Sequence, residues 1–91
     1  IAFWYRNSYS FGDNMDKFYI QLRTGLGIKL FSYKGLHSST TQRYQVSVAG
    51  HEGTEYFTIT KKSQGWMFER PEVIPNWIRE VEKQVLFKKD D

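Results

Sequence analysis

Histidine is the residue on which nucleophilic or metal chemistry in this chain would depend, and there are two, His37 and His51. His37 opens the segment "HSS", but a catalytic triad is made by spatial geometry and not by adjacency in sequence. His51 precedes Glu52, with neither a His-x-x-His pair nor clustered carboxylates at metal-ligand spacing. The chain has no cysteine, which excludes thiolate nucleophiles and thiolate metal sites. The sequence therefore predicts no enzyme activity, no metal and no cofactor, and both histidines are interpreted as polar loop residues.

Phosphate binding is suggested by the glycines of "TGLG" at residues 24–27. A phosphate loop would end in Gly-Lys-Ser or Gly-Lys-Thr and lead into a helix, and this segment does neither. A hairpin turn is the better interpretation. Its amides, with Arg23 and Lys29 on either side, could still form a small anion nest.

Alternating residue types predict that residues 16–24 and 27–34 form a hairpin around that turn. The face predicted to point into the core consists of Phe18, Ile20, Leu22, Ile28 and Leu30. The opposite face would interleave basic and aromatic residues, namely Lys17, Tyr19, Arg23, Lys29, Phe31 and Tyr33, followed by Lys34.

This second face suits two kinds of anionic ligand. Phosphorylated lipid headgroups would accept charge-assisted hydrogen bonds from its cations. The predicted headgroup or anion site comprises Lys17, Arg23, Lys29 and Lys34. Single-stranded nucleic acid would stack its bases on Tyr19, Phe31 and Tyr33. The alternative is a strongly curved or closed sheet that buries these aromatic residues as well, leaving ordinary solvated lysines.

The elements that must position these residues are mostly strands. Period-two patterns predict strands at about residues 1–6, 16–24, 27–34, 43–49, 55–61 and 65–70, and residues 7–15 read as a loop. The first strand, "IAFWYR", is either an internal edge strand, which we favour, or an exposed strand that binds a partner chain.

After Pro71 the apolar period becomes helical. A single stripe is formed by Ile74, Trp77, Ile78, Val81 and Val85. It predicts one C-terminal helix at about residues 75–87 that covers one face of the sheet. Trp77 in this helix and Trp66 in the last strand are the predicted structural anchors. The fold class is therefore α+β: a curved antiparallel sheet or partly open barrel of five to six strands, closed by one C-terminal helix.

Composition is consistent with one folded domain. The chain has 91 residues, of which 18% are aromatic, and aromatic residues bury large areas in a small core. Its net charge of +3 permits an anionic partner. The absence of cysteine and of a signal-peptide pattern favours a cytoplasmic or other intracellular location. The first residue is Ile1 and not Met, which suggests a domain from a larger protein.

Residues 55–86 resemble the end of a pleckstrin homology (PH) domain. The strand "YFTIT", the strand "WMF" and the helix "IPNWIREVEKQVL" follow the order of that family, with Trp77 at the position of the helical tryptophan. The resemblance implies a non-enzymatic binding module for protein–protein interaction, with binding of acidic phospholipid headgroups as a second expectation. A domain that binds single-stranded nucleic acid, and a protein-docking inhibitor or adaptor, are the other two hypotheses.

Overall fold

The protein folds as a curled antiparallel half-barrel covered by short C-terminal helical turns. The structure, a computed structural model, describes residues 16–88 and the backbone of residues 2–5. The predicted loop at residues 7–15 lies outside the described residues. All neighbouring strands are antiparallel, and their order in the sheet is their order in the sequence. The strands are β1 (Ala2–Tyr5), β2 (Lys17–Thr24), β3 (Gly27–Gly35), β4 (Arg43–Ala49), β5 (Thr54–Lys62) and β6 (Gly65–Phe68).

The first strand lies at an edge of this sheet. Ala2 pairs with Leu22 and Tyr5 with Tyr19 in the backbone register of β1 against β2. The internal-strand alternative for "IAFWYR" is thus the one observed for residues 2–5.

Two tight turns have the same construction, with two central residues followed by a glycine. Gly27 and Gly65 have φ angles of 99° and 113°, which glycine adopts without a clash at Cβ. In the β2–β3 turn the Thr24 hydroxyl accepts a hydrogen bond from the Leu26 amide at 3.1 Å and donates one to the Gly27 carbonyl at 2.7 Å. This turn pairs Thr24 with Gly27 and so sets the register of the whole hairpin.

The register corrects the predicted facing of β3. Ile20 pairs with Phe31 and Phe18 with Tyr33, so both β3 aromatic residues lie on the concave face, where they are fully buried. Ile28 and Leu30, predicted to be in the core, lie on the convex face and are 54% and 52% exposed. The prediction was wrong because β3 has large apolar residues at both parities. A shift of one residue exchanges the faces, and only the turn decides between the two registers.

The concave face holds the core of the domain. Its buried strand residues are Phe18, Ile20, Leu22, Phe31, Tyr33, Tyr44, Val46, Val48, Phe57, Ile59 and Phe68. Ile74, Ile78, Val85 and Leu86 of the C-terminal segment are buried against them, and Trp77 and Val81 pack beside them. The predicted apolar stripe therefore covers the sheet, and the predicted fold class is confirmed.

The C-terminal segment, for which one helix at about residues 75–87 was predicted, consists of three short helical pieces. A 3₁₀ turn (Pro71–Val73) precedes α1 (Asn76–Arg79) and α2 (Glu82–Val85). Between the two α-helices the Val81 amide donates to the Ile78 carbonyl, an i→i−3 bond that tightens the chain. Ile78 and Val85, on either side of this point, are both fully buried.

The two predicted anchors are partly buried and contact the core. The Trp77 ring lies 6.2 Å from that of Phe31, measured between centroids. Trp66 belongs to an aromatic cluster that also contains Phe18, Tyr33, Tyr44 and Phe87. Its centroid is 5.1 Å from that of Tyr44 and 5.6 Å from that of Phe87. Trp66 therefore links the last strand to the end of the C-terminal segment.

Candidate functional site

Positive charge and exposed apolar side chains occur together on the convex side of β2, β3 and β4. We call it the convex basic face, and its residues are Lys17, Tyr19, Gln21, Arg23, Ile28, Leu30, Ser32, Lys34, Arg43, Gln45, Ser47 and Ala49. No aspartate or glutamate belongs to this set. Arg43 is neutralised by an ion pair, whereas no ion pair with a described residue reaches Lys17, Arg23 or Lys34. A partner on this face would therefore meet an excess of positive charge.

An aliphatic patch lies on the same side, at the tip of the hairpin. It consists of Leu26, Ile28 and Leu30, which are 38%, 54% and 52% exposed. Arg23 is directly opposite Ile28 in the register, so a cation borders the patch. Sequence reasoning assigned Ile28 and Leu30 to the core and therefore missed this surface. The two-residue turn at Gly25 and Leu26 is the sequence signal that would have revealed this surface, because it excludes the register in which Ile28 and Leu30 point into the core.

The hairpin tip is supported from behind by the C-terminal segment. A Cβ atom added to Gly25 would lie 3.3 Å from the Glu80 Oε1 atom and 4.0 Å from the Trp77 Cβ atom. The turn thus touches α1 and the residue that follows it. A surface held in this way keeps its shape before a partner arrives, which lowers the entropic cost of binding.

The predicted headgroup site is not assembled as one pocket. Lys17 pairs with Lys34 at one end of the hairpin, whereas Arg23 lies near the turn. The distance along β2 between Lys17 and Arg23 is about 20 Å, since a strand advances about 3.3 Å per residue. Lys29 is opposite Leu22 and therefore belongs to the concave side. The four cations therefore lie at two ends of the hairpin and on two faces of the sheet, because successive residues of a strand point to opposite faces.

The anion nest suggested for the turn is also incomplete. The Leu26 amide, which lies at the centre of the turn, already donates to the Thr24 hydroxyl. That bond holds the turn closed and removes the amide from the set that could bind an anion.

The predicted stacking platform for nucleic acid loses two of its three members. Phe31 and Tyr33 are fully buried beneath the C-terminal segment, so no base can stack on them. This is the alternative in which the curved sheet buries these aromatic residues. Tyr19 remains on the convex face, where the Lys17 ammonium group lies 5.8 Å from the centroid of its ring.

Arg43 and Glu69 form the best-defined ion pair on the convex side. Arg43 binds the carboxylate through two nitrogens, with Nη2 to Oε1 at 3.1 Å and Nε to Oε2 at 2.5 Å. The hydrogen bond to Arg43 lowers the pKa of Glu69, and the same bond raises the pKa of Arg43. Arg43 is opposite Thr60 in the register, so the pair links β4 to the end of β6 across β5.

The histidines have surroundings of different kinds. His37 Nδ1 accepts a hydrogen bond from the Arg43 amide at 3.2 Å, and its ring packs edge-on against Tyr44 at 4.9 Å. These contacts hold the polar loop before β4. His51 is exposed in the β4–β5 turn. Within the described part of the chain, no three His, Asp or Glu side chains are grouped to hold a metal ion.

Comparison of the chain with known protein families, characterised proteins and solved structures found no match. No helix among the described residues is long and apolar enough to cross a membrane. Inferences about function therefore depend on the surfaces described above.

Proposed function

We propose that this protein is a non-enzymatic binding module with a PH-like architecture, and that it binds a protein partner through the convex basic face. The observation that carries the proposal is the aliphatic patch beside Arg23, on a face whose strand residues also include Lys17 and Lys34 and no aspartate or glutamate. The curled half-barrel with its C-terminal helical cover is compatible with a PH-like fold.

The exposed aliphatic side chains favour a protein partner. Single exposed apolar residues are common on protein surfaces, whereas a contiguous group bordered by polar residues is typical of an interaction site. Ile28 and Leu30 are next to each other on one face of one strand, and Leu26 is exposed in the adjoining turn. An interface of this kind combines an apolar centre with a charged rim.

The arrangement of charge indicates the chemistry of that partner. Arg23 borders the aliphatic patch, whereas Lys17 and Lys34 lie at the other end of the hairpin, and cations spread in this way do not suit a single small phosphate group. Carboxylates distributed over a protein surface would meet them individually and would speed association. We therefore infer a partner that presents acidic and apolar side chains together.

Backbone amide NMR titration tests this proposal. The probe is a soluble peptide of alternating leucine and glutamate, compared with a matched peptide of leucine and lysine. We expect the acidic peptide alone to shift the amides of residues 19–30 and of Lys34. Inositol hexakisphosphate and a short oligothymidylate, titrated separately, test the lipid-headgroup and nucleic-acid hypotheses.

Two variants make the result specific to the patch. Ile28→Ser should weaken binding of the acidic peptide, because it removes an exposed apolar contact without opening the core. Met67→Ser, an exposed apolar residue on β6 outside the patch, should leave binding unchanged. Equal binding of the acidic and basic peptides, or shifts with the inositol phosphate alone, would contradict the proposed partner.

A further inference from the structure

The edge strand β6 covers only half of β5. β5 runs over Thr54–Lys62, whereas its pairing with β6 includes only Ile59–Lys62. One further hydrogen bond, from the Glu69 amide to the Thr58 carbonyl at 3.0 Å, extends the contact. Among the described residues, the first part of β5 therefore has β4 on one side and no strand on the other.

Hydrogen bonds show which backbone groups of β5 face this open side. The Lys61 amide donates to Gln42, the residue before β4, whereas the Thr58 carbonyl accepts from the β6 side. Because successive residues of a strand alternate in direction, the amide and carbonyl of Tyr56 point the same way as those of Thr58. Among the described residues no hydrogen bond reaches these groups of Tyr56. Within the described part of the chain they are therefore available to another strand.

A groove with a volume of about 210 Å³ borders this edge. It is lined by Tyr56, Phe57, Thr58, Glu69, Arg70 and Val73. Tyr56 is 67% exposed and Val73 is 53% exposed, so two apolar side chains border the open backbone.

The charged residues of the groove are already paired. Glu69 binds Arg43, and Arg70 Nε lies 3.3 Å from Glu72 Oε2. The groove therefore favours an uncharged ligand, unlike the convex basic face.

We propose that this edge, which we call the β5 edge, binds an extended, uncharged peptide segment of another protein by strand addition. The peptide backbone would exchange hydrogen bonds with Tyr56, and one apolar side chain would lie between Tyr56 and Val73. Main-chain hydrogen bonds supply affinity in this mode, and pockets for alternate side chains supply specificity. The site is separate from the convex basic face and does not depend on its function.

A second copy of the chain fits the β5 edge less well than a peptide does. The β5 strand of that copy would carry its own β6 along the same edge. That β6 would meet the β4–β5 turn of the first copy. A single extended segment has no such neighbour, so it is the occupant that the geometry favours.

The test uses the full chain and the blocked peptide acetyl-Thr-Val-Thr-Val-Thr-amide. We expect NMR shifts at residues 54–58 and 69–73 and slower hydrogen exchange of the Tyr56 amide. Two N-methylated forms of the peptide, one for each set of alternate residues, are the matched controls. One of them should bind at least about ten-fold more weakly, because it loses the hydrogen bonds to the Tyr56 backbone. A ten-fold increase in Kd corresponds to about 1.4 kcal/mol.

Side-chain variants complete the experiment. Val73→Lys should weaken peptide binding several-fold, whereas Met67→Lys, on the surface outside the groove, should not. Equal binding of both N-methylated peptides, or of the Val73→Lys variant, would overturn the proposal. So would concentration-dependent shifts of the same amides without peptide, because they would assign the edge to a second copy. The Ile28→Ser variant should bind this peptide normally. Loss of peptide binding at the β5 edge can therefore be distinguished from loss of partner binding at the convex basic face.

Discussion

The hydroxyl group of Tyr33 donates a hydrogen bond of 2.9 Å to the carbonyl oxygen of Val85, in the buried space between β3 and α2. The last carbonyl groups of a helix have no partner within the helix, and a buried one must find a partner elsewhere. Tyr33 supplies that partner and at the same time fills the core with its ring. This contact joins the sheet to its helical cover.

Removing this hydroxyl should destabilise the domain. We expect Tyr33→Phe to lower the free energy of unfolding by about 1–3 kcal/mol, because the Val85 carbonyl would be left buried without a donor. Urea denaturation followed by tryptophan fluorescence measures the change. Tyr56→Phe is the matched control, since Tyr56 is 67% exposed, and it should change stability by less than about 0.5 kcal/mol. Equal stability of the Tyr33 and Tyr56 variants would show that the hydrogen bond contributes nothing.

Burial of Tyr33 should also make the protein sensitive to alkali. Loss of hydration raises the pKa of Tyr33 far above its usual range. An unfolded tyrosine ionises near pH 10, so above that pH the unfolded state releases a proton that the folded state retains. The stabilising effect of Tyr33 is therefore complete below about pH 10 and decreases as the pH rises further.

Ultraviolet absorbance of tyrosinate, recorded with circular dichroism during an alkaline titration, checks this prediction. Tyr33 should ionise only as the protein unfolds, and Tyr33→Phe should lack that step while keeping the others. Ionisation of every tyrosine before any loss of structure would mean that Tyr33 is accessible to water.

The ion pair of Arg43 with Glu69 should affect stability in acid. The hydrogen bond from Arg43 lowers the pKa of Glu69, so the pair is stabilising at neutral pH and its contribution is lost as the pH falls through the lowered pKa. Both side chains are partly exposed, and the effect should be small. We expect Glu69→Gln to reduce stability slightly at pH 7 and to unfold with a shallower dependence on pH in acid. Denaturation midpoints measured across the acidic pH range test this expectation. If stability fell with pH in parallel for the Glu69→Gln variant and the unmodified protein, the ion pair would not contribute to the pH dependence.

Phe87 combines a strained backbone with a favourable side-chain position. Its φ angle is 59°, in the left-handed region that costs about 1–2 kcal/mol for residues other than glycine. This conformation ends the helical segment, with the Lys88 amide donating to the Lys83 carbonyl at 2.8 Å. It also places the ring 5.3 Å from that of Tyr33, between centroids. Packing in the aromatic cluster therefore offsets the strain.

Two substitutions at this position separate the two effects. Phe87→Ala should destabilise the domain by about 1–3 kcal/mol, because the half-buried ring is lost and the strain remains. Phe87→Gly should be about 1 kcal/mol more stable than Phe87→Ala, since glycine adopts the left-handed backbone freely. Thermal denaturation of both variants measures the difference. An alanine variant at least as stable as the glycine variant would show that Phe87 carries no backbone strain.

The sequence was sufficient for the antiparallel sheet and for a helical cover, although not for the division of that cover into short helical pieces. Alternation in β4 is unambiguous, because its large apolar residues Tyr44, Val46 and Val48 occupy a single parity. The stripe from Ile74 to Val85 has one period and one apolar side, so its burial against the sheet followed directly. The turns were marked by glycines whose backbone conformation other residues avoid.

Only the tertiary structure decided which surface is available for binding. β3 contains Ile28 and Leu30 at one parity and Phe31 and Tyr33 at the other, so its local pattern permits both orientations. The pairing of Thr24 with Gly27 selects one of them, and the C-terminal segment then covers the aromatic pair. The aliphatic patch and the separation of the four predicted cations both follow from that choice. The β5 edge was likewise missed, because the path that the chain takes after β6 ends at Phe68, and so what lies beside the first part of β5, is decided by tertiary packing.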